Sequence, residues 1–181
     1  MKRRTDARYS APTKVIHWLT AILVLAAFIY GPGGSEQRVY SASRDFDRQL
    51  HETLGLCVLA LVVARIIWRA FDTRPEPPPV ARWMSLGAGI VQVALYILLL
   101  AVPLAGISSA WLEGHSLTPL GPWAVAPPLP ESHALGALIA TAHSWAGDVI
   151  IWLAGLHALA ALFHHYVLKD DVLLSMLPRR R

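Results

Sequence analysis

Four long apolar segments, separated by charged or proline-rich connectors, constrain this chain more than any other feature. They cover approximately residues 15–31, 50–71, 83–107 and 139–168. Each approaches or exceeds the ~20 residues that a helix needs to cross the hydrocarbon layer of a bilayer. Charged residues make up only 15% of the chain, whereas a soluble domain usually carries about 25%. The pattern predicts an all-α, integral membrane four-helix bundle that forms a single domain over residues 1–181.

Composition excludes several classes of protein. The one cysteine, Cys57, lies inside an apolar segment, which excludes a disulfide framework, a cysteine-rich zinc site and a cysteine-ligated iron–sulfur cluster. The net charge of +4 does not indicate nucleic-acid binding, because the basic residues flank the apolar segments, where membrane topology explains them. We therefore expect the lipid bilayer, and no nucleic acid, as a partner.

The basic residues also predict an orientation. If both termini are cytoplasmic (N-in and C-in), 13 basic residues lie inside and 3 lie outside, as the positive-inside rule requires. The inner set is Lys2, Arg3, Arg4, Arg8, Lys14, Arg65, Arg69, Arg74, Arg82, Lys169 and Arg179 to Arg181, and the outer set is Arg38, Arg44 and Arg48. A signal peptide over the first segment is the alternative, but no convincing small-x-small cleavage site follows that segment.

Histidines inside the apolar segments are the candidate functional residues, because ionisable side chains in a bilayer are costly. By depth, His17 falls near the inner side and His51 near the outer side. His143 and His157 are 14 residues apart on the fourth helix, which separates them by about 21 Å and leaves them on one helical face. The predicted pairs are His17 with His157 and His51 with His143.

A pair of neutral imidazoles is the common axial ligand set of haem iron. Two pairs at two depths therefore predict a di-haem protein with two non-covalent haem b groups. A Zn or Cu site is the inorganic alternative. It is disfavoured because each level supplies only two histidines, with no carboxylate or thiolate at matching depth to complete a tetrahedral set.

Several motifs resemble one known family. They are Ile16-His17-Trp18, the His51-x-x-x-Gly55 start of the second segment, Gly155-Leu156-His157, and the closing HHYxxKDxxLxxMxPRR from His164 to Arg180. Together they are similar to the prokaryotic cytochrome b561 family, specifically its superoxide:ubiquinone oxidoreductase (superoxide oxidase) group. The resemblance implies a multi-pass protein of the bacterial inner membrane. It also implies haem ligands at the four paired histidines, oxidation of superoxide at the outer face and reduction of ubiquinone within the membrane.

Residues near the predicted haems supply further candidates. Arg48 and Arg65 are expected partners for the propionates of the outer and inner haem, with Lys14 and Arg69 as further inner candidates. His164, seven residues beyond His157, is the candidate quinone contact. For the inner basic residues, topology alone remains an alternative explanation, as a headgroup contact does for His164.

The outer segments leave two interpretations open. Arg48, with Arg38 and Arg44, predicts a cationic entrance that attracts a small anion such as superoxide. Glu36, Asp45 and Asp47 oppose that field, so a plain solvated loop is an equal alternative. His115 and His133 lie in the outer loop and are expected to be solvated.

Two other functions compete with the superoxide:quinone oxidoreductase. One is a non-catalytic electron-transfer subunit, the cytochrome b membrane anchor of a larger respiratory oxidoreductase, which would need a redox partner protein. The short inner loops favour a self-contained protein. The other is a histidine-bearing metal carrier without haem. Haem iron would carry the redox chemistry, so no side chain is predicted to act as a catalytic acid or nucleophile.

Overall fold

The computed structural model describes residues 8–72 and 80–177. Within this part of the chain the fold is all-α, as predicted, with one isolated antiparallel bridge between Leu117 and Val125. The helices are α1 (Ala11–Ile29), α2 (Glu36–Val39), α3 (Asp45–Arg69), α4 (Arg82–Leu112), α5 (His133–Phe163) and α6 (Val172–Met176). The predictions for Lys2, Arg3, Arg4, Arg74 and Arg179 to Arg181 lie outside the described residues.

Four helical segments are long and apolar enough to cross a membrane, which confirms the predicted number of spans. They are Ala11–Ile29, Ala42–Arg69, Arg82–Leu112 and His133–Leu168. The third segment continues to Leu112, beyond the predicted end near 107, and the fourth begins at His133, before the predicted start near 139. The helix is continuous through Pro103, although proline has no N–H to donate to the preceding turn.

Apolar side chains on all four segments face outward. Ile22, Val63, Ile90 and Trp152 are all exposed, and Trp152 reaches 82%. The buried apolar set is small among the described residues and consists of Val58, Val62, Ala110, Leu112, Leu117 and Ile150. Such an apolar exterior would be costly in water, and it is favourable against acyl chains, where the helices satisfy their own backbone groups.

The long helices alternate in direction, which gives the bundle two distinct ends. α1 packs on α3, α3 on α4, and α4 on α5. We call the end that carries residues 30–44 and 113–132 the loop end. The terminal end carries the start of α1, the end of α3, the start of α4 and the end of α5.

Polar side chains fasten the terminal end. Ser10 caps α1 by accepting a hydrogen bond from the Thr13 N–H, and its hydroxyl donates to Asp72 Oδ2 at 2.8 Å. After α5 a π-helical turn covers His164–Leu168, and Lys169 then adopts a left-handed conformation with φ 54°. This reversal brings α6 back onto α1, where Trp18 Nε1 donates to the Met176 carbonyl at 3.0 Å.

The loop end is closed by residues 113–132. The Thr118 N–H donates to Glu52 Oε2 at 2.7 Å, and the Leu120 N–H donates to Thr53 Oγ1 at 2.8 Å. The Ser132 N–H returns to the Leu112 carbonyl at 2.8 Å. These bonds hold the loop over the start of α3, directly beside His51.

Candidate functional site

The loop-end histidines, His51 and His143, lie face to edge across the bundle. Their ring centroids are 5.8 Å apart and their planes are inclined by 85°. His51 Nδ1 is 2.7 Å from the Ala27 carbonyl, and His143 Nδ1 is 2.8 Å from the Val102 carbonyl. The structure therefore brings together the two residues that depth alone had paired.

These two carbonyl contacts fix the chemical form of the rings. A carbonyl oxygen can only accept, so Nδ1 carries the hydrogen and Nε2 keeps its lone pair. Ala27 is available near the end of α1, because the Gly31 N–H donates to Phe28 instead. This arrangement, with one ring nitrogen anchored and the other free, is typical of metal-binding histidines.

Glycine allows the close approach of His143 to α4. A Cβ at Gly106 would lie 3.0 Å from His143 Cε1 and 3.1 Å from its Nδ1. Those distances are too short for ordinary contact. An added Cβ at 106 would require the ring or the helix to shift by a few tenths of an ångström.

The terminal-end histidines, His17 and His157, are also adjacent, with ring centroids 6.3 Å apart and planes inclined by 72°. His17 is half-buried and His157 is exposed. Arg65 Nη1 lies 3.1 Å from His17 Nδ1, and Arg65 Nε donates to the Tyr96 hydroxyl at 2.9 Å. Because a guanidinium only donates, His17 is oriented by a charged side chain rather than by a backbone carbonyl.

Arg48 lies among acceptors at the loop end. Its Nη atoms donate to Glu52 at 2.8 Å, to Thr118 Oγ1 at 2.6 Å and to Asp45. Arg44 pairs with Asp47 at 3.0 Å. Two of the three arginines of the predicted cationic entrance are thus neutralised, so the structure favours the alternative, a loop in which acidic residues cancel the field.

His164 is engaged with Asp170, whose Oδ2 lies 2.6 Å from His164 Nδ1. That contact leaves Nε2 as the ring atom for any other partner. Nearby, Arg69 Nη1 donates to the Tyr96 hydroxyl at 3.2 Å, and both residues line a shallow groove between α3 and α4 together with Gln92. Tyr96 could not be anticipated from local sequence patterns, because its partners Arg65 and Arg69 are about 30 residues away along the chain.

A second group of polar residues, at the loop end, was not anticipated. Ligand atoms of Glu36, Glu113 and His115 lie within 4.8 Å of one another, and His133 Nδ1 is 3.8 Å from Glu36 Oε2. Burial raises the pKa of the Glu113 carboxyl, and the charge of Glu36 raises it further. His133 is exposed, as expected, whereas His115, also expected to be solvated, is half-buried and belongs to this cluster.

Four apolar spans with two histidine pairs, one toward each end of the bundle, are typical of membrane-bound electron-transfer cytochromes. Residues 8–179 match the family described as prokaryotic cytochrome b561, and the chain belongs to this family. It is accordingly a multi-pass electron-transfer protein of the bacterial inner membrane that uses haem b.

Curated relatives cover nearly the whole chain. Cytochrome b561 homolog 1 of Escherichia coli (strain K12) is 34% identical, over 96% of this chain and 99% of its own length. A probable superoxide oxidase, CybB, of Yersinia pestis is 32% identical, over 96% and 98%. A cytochrome b562 of Cereibacter sphaeroides is 35% identical, over 91% and 92%. These names support the resemblance drawn from the sequence motifs.

The spacing of both pairs is compatible with an iron atom between the rings. An imidazole nitrogen binds a first-row metal ion at about 2.0–2.1 Å, so two opposed rings have centroids about 6 Å apart. The observed separations are 5.8 Å and 6.3 Å. The residues present therefore fit the family's haem group.

Two buried donors at the loop end also fit an anionic group that the protein itself does not supply. Arg48 Nε and Trp111 Nε1 are buried, and neither has an acceptor among the described residues. A buried N–H without a partner costs about 1–3 kcal/mol. A haem propionate is such an acceptor. The sequence singled out Arg48 but gave no reason to single out Trp111.

We predict that Gly106→Ala selectively disturbs the loop-end pair. The new methyl group would push His143 away from Val102 and loosen the orientation of the ring, lowering haem affinity at that level about 10- to 100-fold. Gly89→Ala, on the same helix with nothing within 4 Å of the added Cβ, is the control. Haem content and reduced-minus-oxidised spectra of both purified variants measure the effect, and indistinguishable variants would contradict it.

Proposed function

We propose that this protein is a di-haem b cytochrome whose axial ligands are His17 with His157 and His51 with His143. The observation that carries the proposal is the convergence of four histidines into two pairs, at centroid separations of 6.3 Å and 5.8 Å, on opposite ends of one bundle. Two redox centres at two depths suit electron transfer across a membrane.

The proposed activity is superoxide:quinone oxidoreductase. Two superoxide ions each lose one electron and become dioxygen, and one ubiquinone takes up both electrons and two protons to give ubiquinol. The name of the Yersinia pestis relative, a probable superoxide oxidase, supports this assignment. The assignment is also supported because the family matched by the chain is the one that the motifs between Ile16 and Arg180 resemble.

Haem iron, when bound, supplies the one-electron chemistry at each histidine pair. The chain's own groups prepare those sites. Ala27 and Val102 hold the Nδ1 hydrogens of His51 and His143, which presents both Nε2 lone pairs inward. The position of these two rings between the helices, within the apolar spans, favours neutral imidazoles, because a charged ring would be costly at that depth.

At the terminal pair, Arg65 would have a second role. Its guanidinium donates to His17 Nδ1 in this structure. If His17 binds iron through Nε2, its Nδ1 must carry a hydrogen and can no longer accept one from Arg65. We therefore expect Arg65 to turn toward a haem propionate when the site is filled. Arg48 Nε and Trp111 Nε1 would provide the corresponding donors at the loop end.

The proposed orientation places the terminal end in the cytoplasm and the loop end in the periplasm. Of the basic residues that the structure describes, the terminal-end set is Arg8, Lys14, Arg65, Arg69, Arg82 and Lys169, and the loop-end set is Arg38, Arg44 and Arg48. This asymmetry agrees with the positive-inside rule. Superoxide would then react nearest the His51/His143 pair.

The quinone would bind near the terminal pair, with His164 as its proposed contact. The Nε2 atom of His164 remains available, and Asp170 on Nδ1 can hold the ring and share a proton with it. The groove beside Arg69, Gln92 and Tyr96 is the competing location. Both lie at the end where protons from the cytoplasm would arrive.

An alternative is an electron-transfer subunit that anchors a larger oxidoreductase and does not itself react with superoxide. The two histidine pairs and membership of this family are equally consistent with that function. The name of the Yersinia pestis relative, a probable superoxide oxidase, favours the catalytic function over this alternative. Reaction with superoxide separates the two functions.

The haem assignment predicts that His143→Ala lowers the haem content from two per chain to one. The remaining haem should keep the midpoint potential of the terminal pair. His165→Ala, whose ring contacts Tyr166 instead of another pair member, should retain both. Pyridine haemochrome assay and redox titration measure the outcome. Two haems retained in His143→Ala, or a haem-free wild type, would refute the ligand assignment.

Rapid mixing tests the reaction itself. The oxidised protein, mixed with superoxide in detergent, should show a b-type α-band at a rate that rises linearly with protein concentration. Added ubiquinone should then bleach that band. The wild type is compared with His143→Ala, which should lose most of the fast phase. If superoxide decays no faster with the wild type than by its own dismutation in detergent alone, the electron-transfer subunit becomes the better assignment.

One substitution at each candidate quinone site distinguishes the two locations. His164→Gln removes the titratable ring at the proposed contact, and Tyr96→Phe removes the hydroxyl in the groove while keeping its shape. We expect His164→Gln to slow reoxidation of the haem by ubiquinone at least tenfold, about 1.4 kcal/mol, while superoxide reduction is unchanged. A slow Tyr96→Phe beside a normal His164→Gln would move the site to the groove.

A further inference from the structure

The cluster at the loop end has the composition of a metal site. It joins Glu36 of α2, Glu113 and His115 just after α4, and His133 at the start of α5. One ligand atom from each of the first three lies within 4.8 Å of the others. His133 Nδ1 stands 3.8 Å from Glu36. None of these residues belongs to the two histidine pairs.

Glu113 is the most buried residue of the cluster. Its side chain is only 9% exposed, and no donor among the described residues bonds to its carboxylate. Its stem rests on Gly136, where an added Cβ would lie 2.6 Å from Glu113 Cγ. Glu113 lies close to a second carboxylate, Glu36, and two like charges at that distance repel each other unless a cation or donor compensates for them.

His115 is already oriented toward the centre of the cluster. Its ring stacks on Tyr40 with centroids 3.4 Å apart and planes inclined by 18°, and its Nε2 lies 2.8 Å from Glu36 Oε1. The Arg48 guanidinium supports the other ring, 5.2 Å from the centroid of Tyr40. Ligand orientation by such neighbours is usual in metal sites.

We propose that Glu36, Glu113, His115 and His133 form a zinc site that clamps the loop end of the bundle. Two imidazoles and two carboxylates suit Zn²⁺, whereas Ca²⁺ and Mg²⁺ prefer oxygen ligands alone. Tetrahedral ligands at about 2.0–2.2 Å from zinc lie roughly 3.3–3.6 Å apart. The present separations reach 4.8 Å, so the ligand atoms would have to draw together around the ion.

The bound ion would join three segments that are distant in sequence. α2, the end of α4 and the start of α5 would share one anchor, beside the loop that covers His51. Two negative charges would be neutralised in the same step. The result is a more rigid and less acidic cap over the loop-end histidine pair.

Equilibrium dialysis of the full haem-loaded protein against zinc chloride tests the site. The protein is first treated with a chelator and freed of any purification tag. We expect one zinc per chain, and a loss of affinity in Glu113→Gln at least as large as the 10- to 100-fold typical of a lost supporting contact. Glu131→Gln, with the same change on the same loop but outside the cluster, should bind as the wild type does. The proposal fails if the wild type binds no stoichiometric zinc, or if Glu113→Gln binds it equally well.

Zinc K-edge X-ray absorption provides a second readout. The wild type should show about two imidazole nitrogens and two oxygens, and His115→Ala should lose one imidazole. An all-oxygen shell, or an unchanged shell in His115→Ala, would overturn the assignment. Haem spectra of each variant confirm that the bundle is folded. Neither measurement involves superoxide or quinone, so the zinc site and the proposed electron-transfer function succeed or fail separately.

Discussion

The hydrogen bonds from His51 to Ala27 and from His143 to Val102 are the contacts on which the chemistry of this bundle depends. An imidazole within a bilayer must satisfy two ring nitrogens without water. Here a backbone carbonyl at 2.7 Å or 2.8 Å satisfies Nδ1, and Nε2 is left for a metal ion. The same bonds join α1 to α3 and α4 to α5, so the contacts that orient the ligands also align the helices that carry them.

The histidine Nδ1 atoms have different kinds of hydrogen-bond partner at the two ends of the bundle. At the loop end the anchors are neutral carbonyls and the close fit at Gly106. At the terminal end Arg65 approaches His17 directly and is itself held by Tyr96. A positive charge close to a redox centre stabilises its reduced, less positive state. We therefore expect the two proposed haem sites to differ in potential.

The sequence was sufficient for the features governed by local rules. Span length and apolar composition gave the four membrane helices, and helical depth gave both histidine pairs, because position along a straight helix maps directly onto position in a bilayer. It was insufficient where contacts depend on loop conformation. The interaction of Arg48 with Thr118, 70 residues away, and the meeting of Glu36 with Glu113 have no periodicity to reveal them. The one local feature of the sequence that could have indicated this cluster is Glu113, a glutamate directly after a long apolar helix.

The same loop contacts determine which charged side chains lie together at the loop end. The six carboxylates there are Glu36, Asp45, Asp47, Glu52, Glu113 and Glu131, and they outnumber the arginines, Arg38, Arg44 and Arg48. Without a bound cation this surface would repel an anion such as superoxide. A divalent ion between Glu36 and Glu113 would cancel two of those charges beside the loop-end histidines. The acidic cluster and the proposed reaction with an anion are thus electrostatically compatible when the cluster holds a metal ion.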